Sequence, residues 1–438
     1  MSTKRNPPVS EKNNLRTTQE RNKRNVYFDG IGVGIASAAA PFLPVFLTRL
    51  GATPVQVGLL TSMPGITGLV LALWVGRLLQ KQRNVVPWYS LSRFLVISAY
   101  ALTGIVPFFV SDNILIIVIL AIWAVATIPQ TIVSVSFSVV MNAVSGPEGR
   151  YDLMSRRWSI LGLTTAVTVA IAGQALNNLD FHLNYQLVFL GLSLGGLISY
   201  YFSSRLQIAD IDPARKSSKA WMKSSLKEDY RRIRKETAFI SITLKQFVYL
   251  FGITLGIPLF PLYFVRQVDA SDAWIGLLYT AQTAVLVIGY FFWGRQSHRI
   301  GSRYVLLIAT LGMSIYPGLV ALTRNQTMIF IFATFAGIFQ AGVDLVFFDE
   351  LMKTIPPSYS PTFVSLAQGI QYLSAVLAPL AGTFLAEHIG LGAALLCSAG
   401  VRLLGFVLFS LPISRHDRRM FSLKRFWIRR KPLKIKKV

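Results

Sequence analysis

The chain has 438 residues, of which 53% are hydrophobic and 14% are charged, and its formal net charge is +25. A soluble protein of this size carries about 25% charged residues, so the composition excludes an ordinary soluble globular protein. The charges collect in short segments between apolar stretches of about 20 residues, the length that a helix needs to cross the hydrocarbon core of a bilayer. The sequence therefore predicts an all-α membrane protein with many spanning helices.

Twelve spans are predicted, six on each side of a long polar segment. Residues 1–25 are polar and basic, which predicts a disordered tail without a cleaved signal peptide. The predicted spans are 26–48, 57–79, 86–109, 113–140, 158–178, 185–204, 239–264, 272–294, 303–323, 327–350, 362–385 and 391–412. The predicted units are a cytoplasmic tail 1–25, a six-helix bundle 26–204, a cytoplasmic central loop 205–238, a six-helix bundle 239–412 and a basic cytoplasmic tail 413–438.

The distribution of basic residues predicts the orientation. If both tails and the loops after even-numbered spans lie on one side, that side holds 38 of the 44 Lys and Arg residues. The positive-inside rule then places both termini in the cytoplasm of a plasma or inner membrane. The net charge is explained by topology and by attraction to anionic lipid headgroups, so no nucleic-acid partner is expected. Residues 220–236 carry apolar side chains at helical spacing, which predicts an amphipathic helix on the inner leaflet.

An internal repeat links the two halves. In the first half, 18 residues separate Gly58 of a Gly-Leu-Leu triplet from Gly76 of a Gly-Arg pair, and Gly276 and Gly294 have the same spacing in the second half. Pro-Phe-Leu-Pro at 41–44 precedes the first copy, and Pro-Leu-Phe-Pro at 258–261 precedes the second. The repeat predicts two copies of one architecture, about 218 residues apart. The paired prolines are expected to bend spans one and seven at corresponding points.

The loop after span eight reads Gly294-Arg-Gln-Ser-His298-Arg299-Ile-Gly301-Ser302-Arg303. With twelve spans in two repeats, this loop resembles the major facilitator superfamily of secondary transporters. The pattern of that family is Gly, three residues, Asp, a basic residue, any residue, Gly and two basic residues. His298 stands in place of the Asp and Ser302 in place of one basic residue, while the loop after span two keeps only Gly76 and Lys81.

The resemblance implies a fold, a mechanism and a set of gate residues. It implies two pseudo-symmetric six-helix bundles, with a small-molecule substrate bound near the midplane between them. It also implies alternating access, and we expect a monomer. The inner gate would be formed by the two loops, with glycines allowing close approach. The expected gate residues are Gly76, Lys81, Gly294, His298, Arg299, Gly301 and Arg303.

Five charged residues lie one helical turn or more inside the predicted spans, where each is costly unless it is paired or hydrated. Similar depths in each half suggest two ion pairs, Asp29 with Arg93 and Asp344 with Arg402. Two roles remain open for each ion pair, which are stabilisation of its helix bundle and participation in transport. Lys245 is expected to extend to the inner interface. Because the resemblance places span ten on the cavity, Asp344 is the candidate for proton coupling, with Arg402 as its modulator.

Uncharged polar residues predict the lining of the cavity. Bulky hydrogen-bonding side chains must find partners in a dry environment, and these residues suit a neutral or amphipathic organic solute. The candidates are Gln130, Ser134, Tyr279, Gln282, Gln340, Gln371 and Tyr372.

Three functions remain open from the sequence. The favoured one is a proton-coupled antiporter that exports organic solutes, and the second is a uniporter or symporter that imports a neutral metabolite. The third is a membrane enzyme or a lipid flippase. Enzyme chemistry is disfavoured, because the only cysteine, Cys397, lies in an apolar stretch and no Ser/His or metal-ligand cluster is apparent. No nucleotide-binding loop is apparent either, so no cofactor and no metal are expected. All four histidines fall in predicted loops or tails, at His182, His298, His388 and His416.

Overall fold

A computed structural model describes residues 9–80, 82–178, 180–208, 236–354 and 360–411, and every regular element in these ranges is a helix. The α-helices are α1 (Val9–Ser37), α2 (Phe42–Arg49), α3 (Pro54–Gln80), α4 (Val86–Ile105), α5 (Asp112–Asn178), α6 (Leu183–Ser203), α7 (Thr237–Gly256), α8 (Leu259–Arg266), α9 (Asp272–Ile300), α10 (Ser302–Ala321), α11 (Gln326–Lys353), α12 (Ser360–Ile389) and α13 (Leu391–Ser410). A short 3₁₀ helix, Val106–Phe108, follows α4.

Within the described residues, twelve helical stretches are long and apolar enough to cross a membrane, which agrees with the predicted number. In chain order, spans one to twelve are Thr17–Arg49, Pro54–Ala72, Val86–Phe108, Ile114–Ser145, Arg156–Asn178, Leu183–Ser203, Thr237–Arg266, Asp272–Ser297, Ser302–Ala321, Gln326–Leu351, Leu366–Ile389 and Leu391–Ser410.

The repeat is visible in the way that spans one and seven are broken. Span one consists of α1 and the eight-residue α2, and span seven consists of α7 and the eight-residue α8. Pro41 and Pro258 are the residues immediately before the second helix of each span. Proline has no backbone N–H for the preceding turn, so the predicted bend becomes a break at the same place in both halves.

The first helix begins earlier than the sequence suggested. The prediction of a disordered tail over 1–25 is wrong for residues 9–25, which continue α1. Hydrogen bonds hold this polar segment against the chain that follows span six. The Asn22 amide donates to the Gln207 carbonyl at 2.6 Å, and its side-chain oxygen accepts from the Gln207 N–H at 3.0 Å. The central segment 209–235, with most of the predicted amphipathic helix, and the tail 412–438 lie outside the described residues.

Spans four and five run in opposite directions, and the residues that join them are also helical. The predicted loop between them belongs to α5, which runs from Asp112 to Asn178. Leu153 and Arg157 are both buried, so the part of α5 just before span five packs its side chains into the protein rather than leaving them in solvent.

Because the spans alternate in direction, the loops fall at two ends of the molecule. We call the end that carries the loops after even-numbered spans the basic end, and the end that carries residues 49–54 and 266–272 the opposite end. The two halves meet along two seams, one between spans two and eleven and the other between spans five and eight.

Glycines allow the close approach at both seams. A Cβ on Gly276 would lie 2.9 Å from the Cα of Gly173, and a Cβ on Gly58 would overlap the side chain of Thr383. Each Gly-Leu-Leu glycine of the sequence repeat therefore lies where its span touches the other half.

Candidate functional site

A buried cluster around Asp29 forms in the first half. Arg93 Nη1 donates to both oxygens of the Asp29 carboxylate, at 3.2 and 3.1 Å, so the predicted ion pair is present. The Ser199 hydroxyl donates to the same carboxylate at 2.6 Å. Asp29 is 1% exposed. The cluster ties spans one, three and six together.

Arg157 is a third ionic member of this cluster, which the sequence interpretation missed. Its Nη2 donates to Asp29 Oδ2 at 3.2 Å, and its guanidinium lies 4.9 Å from the ring of Phe137. The sequence interpretation counted Arg157 among the loop cations, because it precedes the predicted start of span five. The only available signal was the Arg-Arg pair directly before that span. One carboxylate therefore serves two buried arginines.

Asp344 on span ten has different surroundings. The Tyr290 hydroxyl of span eight donates to Asp344 Oδ2 at 2.9 Å, and the Gln340 amide donates to Oδ1 at 2.7 Å. Asp344 is exposed, unlike Asp29. Its described hydrogen-bond partners are neutral.

Helix geometry shows where Asp344 points. Successive residues of an α-helix turn by about 100°, so Asp344 lies about 60° from Ala341 and about 60° from Phe347 around the axis. Ala341 packs against Gly289 of span eight, and the Phe347 ring packs at 5.5 Å against Tyr249 of span seven. Asp344 therefore faces the groove between spans seven and eight.

The predicted pairing of Asp344 with Arg402 is wrong. Arg402 is 1% exposed, and its guanidinium donates to three backbone carbonyls, those of Gly252 at 3.2 Å, Met313 at 3.1 Å and Ile253 at 3.4 Å. Two of these carbonyls belong to the last turns of α7, just before the proline break. A cation is stabilised by carbonyls at the C-terminus of a helix, so Arg402 supports the broken span seven rather than the carboxylate.

Lys245 extends towards the basic end, as expected. It is 8% exposed, and its ammonium donates to the Leu411 carbonyl at 2.9 Å. The side chain is thus held by protein. Leu411 follows the last residue of α13, so Lys245 binds the C-terminal end of that helix.

The predicted lining residues lie on the expected spans. Gln340 contacts Asp344, and the Tyr372 ring packs against Gly68 at the seam between spans two and eleven. The Ser134 hydroxyl donates to the carbonyl of Gln130 in its own helix, at 3.0 Å. Of the others, Tyr279 and Gln282 are half-buried and Gln371 is exposed. Their role in substrate binding stays a prediction.

Polar contacts close the opposite end between the two halves. Arg49 Nε pairs with Asp272 at 2.7 Å, and its Nη2 donates to the Ala270 carbonyl at 2.8 Å. Arg266 Nη2 donates to the Ala52 carbonyl. Arg49 and Arg266 end the equivalent helices α2 and α8, so each reaches the loop that follows the other. We call these three interactions the crossed arginine contacts.

Comparison with known proteins gives a family match for the second half of the chain. Residues 242–436 match the model of the Major Facilitator Superfamily. The chain also has the fold of solved transporters. It superposes on a nucleoside transporter NupG mutant with a TM-score of 0.68 at 10% identity, covering 90% of this chain and 99% of that one. The second half of the chain is therefore similar to the Major Facilitator Superfamily, and the chain as a whole has the fold of solved transporters.

Two further comparisons describe similar proteins. A bacterial homologue of the iron transporter ferroportin, in an inward-facing state, superposes with a TM-score of 0.65 at 16% identity, covering 90% and 98% of the two chains. The multidrug resistance protein MdtG of Klebsiella pneumoniae is 30% identical over 171 residues, which are 37% of this chain and 40% of that protein. The chain thus spans about two fifths of the length of the curated relatives that it matches.

Two glycines of the loops expected to form the inner gate do not lie at close helix contacts, in contrast to the prediction. A Cβ on Gly76 or Gly294 would meet open space, so close helix approach does not explain either residue. Gly301 has φ +91°, a conformation that glycine adopts without strain, and it forms the turn between α9 and α10.

The basic residues of these loops have separate positions. Arg303 donates to the carbonyls of Phe409 at 2.6 Å and Leu411 at 3.3 Å, which fastens the start of span nine to the end of span twelve within one half. Arg299 is exposed. Lys81 and the side chain of His298 lie outside the described part of the structure. A gate role for these residues stays a prediction.

Proposed function

We propose that this protein is a proton-coupled antiporter that exports amphipathic organic solutes by alternating access. The observation that carries the proposal is the exposed carboxylate of Asp344, which faces the groove between spans seven and eight and binds only neutral donors among the described residues. The matched relatives are named multidrug resistance proteins, which supports an organic substrate.

Asp344 suits the exchange of a proton for a solute. A carboxylate without a cationic partner gains stability either by binding a proton or by pairing with a positively charged group. A cationic solute and a proton would therefore compete for the same oxygens. Protonation on one side of the membrane would release the solute there, and deprotonation on the other side would restore its site. Tyr290 and Gln340 would hold the carboxylate in place in both states.

A uniporter or symporter for a neutral metabolite is the second candidate. The predicted lining is rich in neutral hydrogen-bonding groups, such as Gln282, Gln371 and Tyr372, and these require no charge on the solute. Both candidates would have the basic end in the cytoplasm. This orientation is predicted by the positive-inside rule, because 38 of the 44 basic residues are assigned to that end.

Transport by the purified protein in liposomes tests the proposal. We expect uptake of fluorescent lipophilic cations when the compartment that they enter is the more acidic one, and loss of this uptake when a protonophore removes the gradient. Uptake of neutral sugars or nucleosides that ignores the gradient would instead favour the uniporter. The absence of any gradient-driven flux across a broad panel would contradict the antiporter.

Alternating access also predicts an effect of the crossed arginine contacts. Replacing Arg49 and Arg266 with alanine should raise the population open at the opposite end by about tenfold or more, because hydrogen bonds to charged groups contribute about 1.5–3 kcal/mol. The measurement is the distance between spin labels at Asn177→Cys and Glu387→Cys, which are exposed at this end on different halves. Cys397→Ser removes the only native cysteine.

The matched control is Arg324→Ala, an exposed arginine at the same end. It should leave the distance distribution unchanged. An unchanged distribution in the double alanine variant would show that the crossed arginine contacts do not hold this end closed.

A further inference from the structure

A cavity of about 500 Å³ lies at the basic end of the first half, away from Asp344. It is lined by the polar start of span one and by the residues that end span six and follow it. Arg21 and Arg24 face it from one side, and Arg205 faces it from the other. All three arginines are exposed. The cavity thus brings together cations that are about 180 residues apart in the sequence.

The charge of these arginines is not balanced within the described part of the chain. Arg21 donates to the side-chain oxygen of Gln207, a neutral group, and the Arg205 guanidinium lies 3.6 Å above the ring centroid of Tyr201. Among the described residues, no carboxylate forms an ion pair with Arg21, Arg24 or Arg205. Three exposed guanidinium groups around one cavity attract an anion, and guanidinium matches phosphate oxygens with two parallel hydrogen bonds.

The cavity is held in shape before any ligand binds. The Asn22 amide exchanges two hydrogen bonds with the backbone of Gln207, at 2.6 and 3.0 Å. The Asn25 amide donates to the Arg205 carbonyl at 3.5 Å. These contacts join the two walls that carry the arginines, so a ligand loses little free energy in ordering them.

An aromatic surface continues from the arginines towards the middle of the membrane. Phe28 follows Arg24 by one helical turn, which is about 6 Å along the axis. The Phe28 ring stacks on Phe202 with centroids 4.8 Å apart, and Tyr201 packs edge-on against Phe202 at 5.1 Å. Phe28 is 41% exposed and Tyr201 is 49% exposed. Aromatic rings at the ends of spans are typical of the membrane interface.

We propose that this cavity binds an anionic phospholipid, with the headgroup phosphate on Arg21, Arg24 and Arg205 and an acyl chain against Phe28 and Phe202. A free phosphate ion would use the arginines but not the aromatic surface. A zwitterionic lipid carries its own cation, which offsets part of the attraction. The lipid would fasten the start of span one to the end of span six, and this role is independent of the proposed transport activity.

Native mass spectrometry of the full chain in detergent tests the site. Phosphatidylglycerol should bind more tightly than phosphatidylcholine, and its binding should weaken as salt is added. The variant Arg24→Gln with Arg205→Gln should bind phosphatidylglycerol on the order of 30-fold more weakly, because each basic residue near a membrane surface contributes about 1 kcal/mol. The control Arg295→Gln with Arg299→Gln removes the same charge from exposed positions at the same end and should bind almost as wild type.

Three results would overturn the proposal. They are equal binding of the two lipids to wild type, displacement of phosphatidylglycerol by millimolar inorganic phosphate, and equal loss of binding in both double variants. The first two measurements use the unaltered protein, so they decide the matter even if the Arg24/Arg205 variant fails to fold. Displacement by inorganic phosphate would assign the cavity to a free anion instead of a lipid.

Discussion

Asp344→Asn should reduce pH-driven transport to the level of liposomes without protein. The substitution keeps the size of the side chain and a hydrogen-bonding oxygen for Tyr290, but it removes the group that would bind the proton. Movement that depends on the gradient should therefore stop, and exchange without a gradient should weaken for cationic solutes, which pair with the same oxygens, but continue for neutral solutes. Measuring both fluxes in one preparation of proteoliposomes separates a loss of coupling from a loss of folding.

The matched control for this variant is Asp349→Asn on the same helix. Asp349 is exposed in the last turn of span ten and pairs at 2.6 Å with Lys353, which follows the span. It should transport as wild type does. If Asp344→Asn keeps its pH-driven flux, Asp344 is not the coupling group, and the proposal of proton antiport through this residue fails. If exchange of neutral solutes also stops, the substitution has damaged more than the site for the proton and the cation.

Asp29→Asn should destabilise the protein by about 3–5 kcal/mol, because removing one partner of a buried ion pair leaves an uncompensated charge in a dry environment. Here two arginines, Arg93 and Arg157, would lose their carboxylate together. The expected fall in the unfolding temperature is on the order of 10 °C. Thermal unfolding in detergent and unfolding by added sodium dodecyl sulfate measure the two quantities.

The control for Asp29→Asn is Asp180→Asn, an exposed acid at the opposite end, which should leave stability unchanged. A second comparison places Asp29→Asn in the background of Arg93→Met and Arg157→Met. The cost should be much smaller there, because residues in one ionic network are not additive. The assignment of Asp29 as the counter-charge of both arginines would be contradicted by either of two results. One is an undiminished loss of stability from Asp29→Asn in that background, and the other is no loss of stability from Asp29→Asn in the wild type.

Several features could be predicted because they depend on local sequence. The twelve spans follow from the length of the apolar stretches, since a helix must satisfy its own backbone hydrogen bonds in lipid. The breaks at Pro41 and Pro258 follow from a missing backbone N–H. The pair of Asp29 with Arg93 could be predicted from depth in the membrane alone. A buried charge requires a partner there, and few cationic residues were available at the depth of Asp29.

The site in the second half could be predicted only in part. The position of Asp344 on a cavity-lining span came from the resemblance, and the structure places it in the groove between spans seven and eight. The partner predicted for Asp344 was wrong, because the position of a residue along a span does not give the direction in which its side chain points around the helix axis. Arg402 lies at a comparable depth but points towards the carbonyls at the end of α7.

The sequence by itself determined the membrane class, the number of spans and the two-fold repeat, because hydropathy and spacing act over a few helical turns. Only the tertiary structure decided which charges meet and where the halves touch. Arg157 reaches Asp29 across 128 positions, and Arg49 reaches Asp272 across 223. These contacts depend on how the helices rotate and cross, and that is set by packing between surfaces such as Gly173 and Gly276 rather than by any local pattern.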